Sequence, residues 1–599
     1  MTTAARVIFA LLVAATFGAF FVAQRLKHTP TVLQKVRGDR VFSPNGDGRK
    51  DALEVRFRIK NSDVISVDAL DEDDRIVASL IEDRRLRTGT PISVRWNGRF
   101  EGGERAPDGV YRLQVTLGDE GRTVVVRRRY RLDTTPPEPE VTDVGPTEGP
   151  GPELLPNREG GVRIETSPAG SDPSVAIFRT SGGSPRLMTR LPLEDRAATW
   201  DGKVGGKPVF AGTYVAVAQW RDRAGNLGSS VPVGGESGVP VLDFGEDLPG
   251  HGGITVRNLE LQPPAVPVAA GSKITIGVDA RGAPYRWSLR RLGADRPERN
   301  GRTTRTPFTV PAPRGDEGIF VFEARKGGRT ATAPIAVTNP GRNKVLVVLP
   351  FMTWQGRNEV DDDGDGAPNV LDRGVDARAV RVFAGGRLPE GFRESEGPLL
   401  AYLARNDRSF DVTTDIALAI GRGPKLAGHE GVLLPGDVRW LPRDRQLELR
   451  DFVREGGTLW LTGTDSLRRE VTFSPDGVLS RPTTAAPANL FGSKLKPVVS
   501  EPTTVTNLED EINLFSGEVF GGTGVLSGFP GYEETASLGE DEDLAASAVT
   551  ADGEVVVVAA RFGKGLEIRT GLPDFATLLN DDADTGQLAL RAWSLLAGD

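Results

Sequence analysis

Lys344–Pro350 reads KVLVVLP. Five consecutive apolar residues closed by a proline show no alternation, so both faces of the segment must be buried, as in a parallel sheet covered on each side. The chain downstream keeps that rhythm. GPLLAYLARND (Gly397–Asp407) reads as a helix, DVTTDIALA (Asp411–Ala419) as the next strand region, and GVLLPGD (Gly431–Asp437) as another buried strand. PRDRQLELRDFVREGG (Pro442–Gly457) is an amphipathic helix: Pro442 lies near its start, Leu447, Leu449, Phe452 and Val453 are its apolar residues, and two glycines stop it. TLWLTG (Thr458–Gly463), EVVVVAARFG (Glu554–Gly563) and LEIRTGLP (Leu566–Pro573) are further strands, and GQLALRAWSLLAG (Gly586–Gly598) is a terminal helix. Strands alternating with helices predict an α/β domain with a mostly parallel sheet over 342–599.

Upstream the period changes from helical to alternating. SVRWNGRFEGGERAPDGVYRLQVTL (Ser93–Leu117) returns as AATWDGKVGGKPVFAGTYVAVAQW (Ala197–Trp220). Each copy runs Trp-Asn/Asp-Gly, a glycine-rich turn, a proline, then Gly-x-Tyr and a strand, which places the aromatics in one core. In VYRLQVTL, Val110, Leu113 and Val115 are out of strict phase, which predicts a bulge. These copies resemble the FlgD-like immunoglobulin-type domain. The first also carries FSPNGDGRKD (Phe42–Asp51), a common opening of such modules, and leaves through LDTTPPEPE (Leu132–Glu140). The resemblance implies tandem all-β Ig-like sandwiches at 41–137 and 138–236, serving as spacers or binding modules. Between 237 and 341, GITVRNLEL, KITIGVDA, IFVFEA and TAPIAV predict a divergent β-sandwich, with a β-rich lead-in to the last domain as the alternative.

VIFALLVAATFGAFFVA (Val7–Ala23) carries no charge over 17 residues. As a helix it spans roughly 26 Å, near the lower limit for a bilayer. Residues 1–23 therefore read as a signal anchor and transmembrane helix, followed by a polar stalk at 24–40. A cleaved signal peptide is the competing reading, but Phe21 stands where a small residue is wanted. Arg25, Lys27, Lys35 and Arg37 follow the segment and by short-range charge counting favour a cytoplasmic C-terminal side. Large domains translocate despite flanking charge, and the acidic loop described below places the bulk outside.

The net charge is -8, with no basic block, which excludes nucleic acid as the expected partner. The chain has no cysteine, so no disulfide, thiolate metal site or cysteine nucleophile exists. Its three histidines, His28, His251 and His429, are scattered, which makes a catalytic triad or multi-histidine metal site hard to assemble.

VLPFMTWQGRN (Val348–Asn358), Leu434–Ser466 and RFGKGLEIRTGLPDF (Arg561–Phe575) resemble the C-terminal domain of the large N,N-dimethylformamidase polypeptide, itself a class I glutamine-amidotransferase-like fold. The resemblance implies a flavodoxin-like α/β domain. An amidotransferase of this type would carry its cysteine at the turn after TLWLTG, where this chain has Gly463, Thr464, Asp465 and Ser466, and a histidine near TGLPDF, where it has none. Ser466 reads as a turn hydroxyl. Dimethylformamidase-type enzymes hold iron with tyrosines and a glutamate. Their TWQAYN motif is TWQGRN here, with Arg357 at the tyrosine, and the domain keeps only Tyr402 and Tyr532.

DDDGDGAPNVLD (Asp361–Asp372) places side-chain oxygens at positions 1, 3, 5, 9 and 12 (Asp361, Asp363, Asp365, Asn369 and Asp372), a carbonyl at 7 (Ala367) and glycine at 6. That is the spacing of a calcium loop, here of the shorter-armed kind seen in dockerin and thrombospondin-type repeats. A solvated acidic turn is the alternative. Millimolar calcium outside a cell fills even a weak site. Asn45, Asp47 and Asp51 form a second candidate metal turn, with an ordinary Asx turn as the simpler reading. GEDEDL (Gly539–Leu544) reads as solvated surface. Trp354, Trp440 and Trp460 read as core, or as the lining of a sugar cleft.

Together these readings predict a membrane-anchored extracellular surface protein whose degenerate amidotransferase-like domain binds a glycan or protein ligand and carries structural Ca²⁺. The alternative is an exported iron-dependent amide hydrolase.

Overall fold

The computed structural model describes residues 9, 11–20, 32–146, 153–154, 161–231, 233–234, 239–240, 252–315, 317–339, 341, 343–515 and 523–598. Among them no helix is long and apolar enough to cross a membrane. Of the expected anchor only Phe9 and Leu11–Phe20 are described, so that reading has no support from the structure. His28, His251 and the stalk before Val32 lie outside the described residues. The chain divides into two compact units, Met1–Glu140 with Thr166–Ser174 and Ala218–Val241, and Val141–Glu165 with Val175–Val217 and Leu242–Asp599.

The first unit contains a β-sandwich. One sheet joins Leu33–Gly38, Leu53–Ile59 and Pro91–Trp96; the other runs Val41–Phe42, Tyr130–Leu132, Gly109–Leu117, Asp63–Leu70 and Ile76–Leu86. Alternate residues of the two inner faces, among them Phe57, Trp96, Tyr111 and Tyr130, form its core. Trp96 meets the Tyr111 ring edge-on at 4.8 Å, and its indole N–H donates to the Arg99 carbonyl. The predicted bulge is absent. Tyr111, Leu113, Val115 and Leu117 alternate inward without a register shift, and Val110 is the half-buried residue outside that phase. Asn226 of the same unit donates to the Asp133 carbonyl at 2.8 Å and takes a hydrogen bond from Asn45 at 3.2 Å.

In the second unit Trp200 and Tyr214 repeat the ring contact at 5.2 Å. Two further sheets face each other between Glu260 and Thr338. Glu260–Gln262, Lys273–Asp279 and Phe308–Pro311 form one, and Val268–Ala269, Arg329–Thr338, Gly318–Lys326, Tyr285–Arg291 and Arg299–Thr303 the other.

Val345–Leu349 lies in a nine-stranded sheet. Its parallel part runs Asp411–Thr414, Val345–Leu349, Gly431–Leu434, Thr458–Leu461 and Gly565–Arg569. Val555–Phe562, Glu542–Val549, Thr503–Asp510 and Val525–Phe529 continue it antiparallel. Val345, Val347, Leu433 and Trp460 pack on one face with Leu399, Leu403, Leu588 and Trp593; Leu346, Val348, Val432 and Leu459 pack on the other with Leu449 and Val453. Burial on both faces explains the unbroken apolar run. The expected helices form at Gly397–Arg405, Arg443–Glu455 and Ala583–Ala597, while the described chain as a whole is mostly β. DVTTDIALA splits: the strand ends at Thr414, whose hydroxyl accepts the N–H of Ala417 and starts the short helix Asp415–Ala419. The amphipathic helix runs Arg443–Glu455 and stops at Gly456, whose φ of 124° suits glycine. GEDEDL is not all solvated: Glu542 is buried and accepts the Gly539 N–H at 2.7 Å.

Candidate functional site

The acidic loop is tightly turned. Asp361 accepts the N–H groups of Gly364 at 2.6 Å and Gly366 at 2.9 Å, and Asp365 accepts that of Ala367 at 2.7 Å. Oxygens of Asp361, Asp363 and Asp365 lie within 4.8 Å of one another, a group able to hold a metal ion. Burial raises the Asp361 pKa to about 6, and the Asp365 and Asp363 charges add to the rise against the two backbone bonds. Asn369 is buried; its oxygen accepts the Asp362 N–H at 2.6 Å and its amide donates to Asp363 at 3.3 Å. Asp372 is turned elsewhere, pairing with Arg439 at 3.4 Å and Arg357 at 3.8 Å. The loop therefore gathers three of its five predicted side chains around one point, with Asn369 beside them.

The second candidate turn makes backbone bonds of the same kind and one ion pair. Asp51 accepts the N–H groups of Gly46 and Gly48, both at 2.8 Å, Asn45 accepts that of Asp47, and Asp47 accepts Arg221 at 2.7 Å. This is the Asx-turn reading.

At the turn after Thr458–Leu461, the Ser466 hydroxyl is buried, accepts the Val438 N–H at 3.1 Å and donates to the Thr464 carbonyl at 3.3 Å. His429, the described histidine, is bonded to the Lys425 carbonyl and to Asp411, at the opposite end of the Asp411–Thr414 strand from its capped Thr414. The Tyr402 hydroxyl abuts Gly586, and Tyr532 exchanges backbone bonds with Val499.

Sequence reading did not locate the pocket, which has a volume of about 540 Å³. It opens at the carboxyl ends of the parallel strands, lined by Thr353, Trp354 and Arg357 after the first strand, Asp437 after the third, and Glu396. The connection from Val345–Leu349 leads to Asp411–Thr414 on one side and that from its other neighbour, Gly431–Leu434, to Thr458–Leu461 on the opposite side, so a crevice opens where they part. Glu396 closes a wide helical turn, Phe392–Glu396, and is 1% exposed. One of its oxygens accepts the Trp354 indole N–H at 3.2 Å; the other has no partner. Burial raises its pKa to about 8; the Trp354 bond opposes that rise and the Asp437 charge adds to it. Burial also raises Asp437, against the charges of Arg439 and Arg357 and a bond from the Thr464 N–H. Trp440 and Trp460 are core residues, whereas Trp354 reaches the pocket. The one sequence signal was Trp354 itself; Glu396 lies in a stretch with no motif.

No protein-family profile and no curated protein matches the chain. Among solved structures it is similar to FlgD from P. aeruginosa, at 18% identity over 18% of this chain and 74% of that one, with a TM-score of 0.13. It is similar also to a bacterial ice-binding adhesin at 12% identity over 51% and 96%, TM-score 0.21, and to fibronectin(III)-like modules of Clostridium thermocellum CbhA at 16% over 32% and 89%, TM-score 0.17. The comparisons give no support to the N,N-dimethylformamidase resemblance.

Proposed function

We propose that the chain is a membrane-anchored extracellular surface protein whose last domain binds a ligand in the Glu396 pocket and does not hydrolyse glutamine. The boundaries at 137, 236 and 341 then separate Ig-like spacer modules from that domain. The parallel strands lie, by chain position, in the order second, first, third, fourth, fifth, which supports the flavodoxin-like reading of 342–599. The observation that carries the proposal lies at the carboxyl ends of those strands. There Ser466 is held in two structural hydrogen bonds while an open pocket with an unpaired buried carboxyl oxygen stands beside Asp437. Such crevices are where α/β sheets bind ligands. The ligand is an extracellular glycan, protein or small molecule.

The acidic loop fits a structural Ca²⁺, with Asp361, Asp363 and Asp365 as ligands, Asn369 and the Ala367 carbonyl completing the set, and Asp372 left to its arginines. In the same unit the loop packs against β strands: the Gly366 carbonyl accepts the Thr180 hydroxyl, and Glu359 accepts the Gly182 N–H at 2.8 Å. A bound ion would stiffen that contact.

Elemental analysis and an amide-hydrolysis assay on the full-length protein in detergent test the reading. About one calcium per chain, no iron and no turnover of glutamine or dimethylformamide are expected. Stoichiometric iron with amide turnover would replace it with the iron hydrolase.

A further inference from the structure

We propose that Glu396 and Asp437 together recognise the primary ammonium group of an amine-bearing small molecule. The inference rests on the pocket being the ligand site and adds the class of ligand.

Glu396 is built to present one oxygen. Trp354 holds the other at 3.2 Å, and the carboxyl group lies in a cradle of two glycines. A Cβ on Gly391 would stand 2.8 Å from its Oε1, and one on Gly436 would stand 2.5 Å from it. Gly436 is further held at φ 70°, and its N–H donates to Thr462 at 2.8 Å. The carboxyl therefore fits only because both neighbours lack side chains. Its Oε2 has no partner although the residue is 1% exposed. Leaving a buried acceptor unpaired costs its desolvation, and more for a charged one. Such a cost persists at a site when a ligand removes it on binding.

Asp437 determines which donor fits. It follows Gly436 directly, so a second carboxyl faces the same space, fixed on one oxygen by the Thr464 N–H at 3.0 Å. Two carboxyls repel an anion. A hydroxyl supplies one donor and no charge. An ammonium supplies three donors and a positive charge, which adds to the Arg357 and Arg439 charges already near Asp437. The apolar side of the pocket, with Phe383 and Leu388, suits a carbon skeleton. Arg357 at the rim is engaged with Asp372 and Glu390, each at 3.8 Å, rather than with Glu396.

Cyclohexylmethylamine and cyclohexylmethanol share a skeleton and differ in the group read. Their affinities for the full-length protein in detergent are measured by saturation-transfer NMR titration. The amine is expected to bind at least about tenfold more tightly, as one lost charge-assisted contact implies. Glu396→Gln should remove that advantage and leave the alcohol unchanged. Gly391→Ala, which crowds the carboxyl without removing it, should weaken the amine in the same direction. Equal binding of both probes overturns the amine inference and leaves the pocket as a ligand site. An advantage that persists in folded Glu396→Gln also overturns it, since attraction to a net negative chain then explains the preference. Binding of neither probe overturns both the inference and the pocket reading.

Discussion

Arg381 donates from Nη1 to Asp362 Oδ2 across 2.6 Å, and this pair ties the acidic loop to the helix after the first parallel strand. The guanidinium-bearing residue is 6% exposed. Its Nη2 reaches the carbonyls of Gln355, Asn358 and Asn369 at 2.7–2.8 Å. Asp362 holds a loop position where a calcium ligand is not expected, and its role is this anchor.

Arg381→Ala should therefore destabilise the second unit by about 3–5 kcal/mol, since it leaves three carbonyls unpaired and takes the ion-pair partner from half-buried Asp362, which keeps the Arg378 N–H. Urea denaturation followed by tryptophan fluorescence measures it. A loss under about 1 kcal/mol would mean that water replaces the guanidinium.

Asp363→Ala removes a carboxylate from the cluster of three without touching the Arg381 anchor. Calcium retained by the full-length protein after dialysis should fall from about one ion to none. Retention of the ion would place the metal elsewhere.

Glu396 gives the stability a pH dependence of known sign. Its pKa is raised from 4.5 to about 8 in the fold, chiefly by burial, with Asp437 adding and Trp354 and Arg357 opposing. Its contribution to stability is fully present below about 4.5 and lost as pH rises through about 8. Glu396→Gln should flatten the stability profile across that window and gain on the wild type with rising pH. Urea melts at about pH 5, 7 and 9 test this; parallel profiles would remove Glu396 as the source.

Ser466→Ala should cost about 1 kcal/mol through its two lost hydrogen bonds and should leave glutamine turnover at zero before and after. A measurable turnover that the substitution abolishes would make Ser466 a nucleophile.

Trp96→Ala should cost about 3–5 kcal/mol in the first unit, since the ring is 2% exposed between Phe42 and Tyr111. Thermal melting resolves it as a shift of that unit's transition.

KVLVVLP and the Trp-Asn/Asp-Gly repeats are legible because strand burial follows local periodicity, and the Asp361–Asp365 turn because its carboxylates are two residues apart. The bulge expected at Val110 does not form, because cross-strand partners settle which strand face is inward. Asp372 stands away from the loop's cluster because Arg357 and Arg439 reach it from elsewhere. The segment Asp411–Ala419 is too short for its apolar residues to distinguish strand from helix before Thr414 caps the turn.

The alternating and doubly buried strands, the absence of a cysteine nucleophile and the acidic turn can all be read from the chain unaided, because each is a property of residues near one another in it. The pocket cannot. Trp354, Glu396 and Asp437 meet there because parallel strands bring their carboxyl ends together, and one Glu396 oxygen is left unpaired because residues far away in sequence bury it.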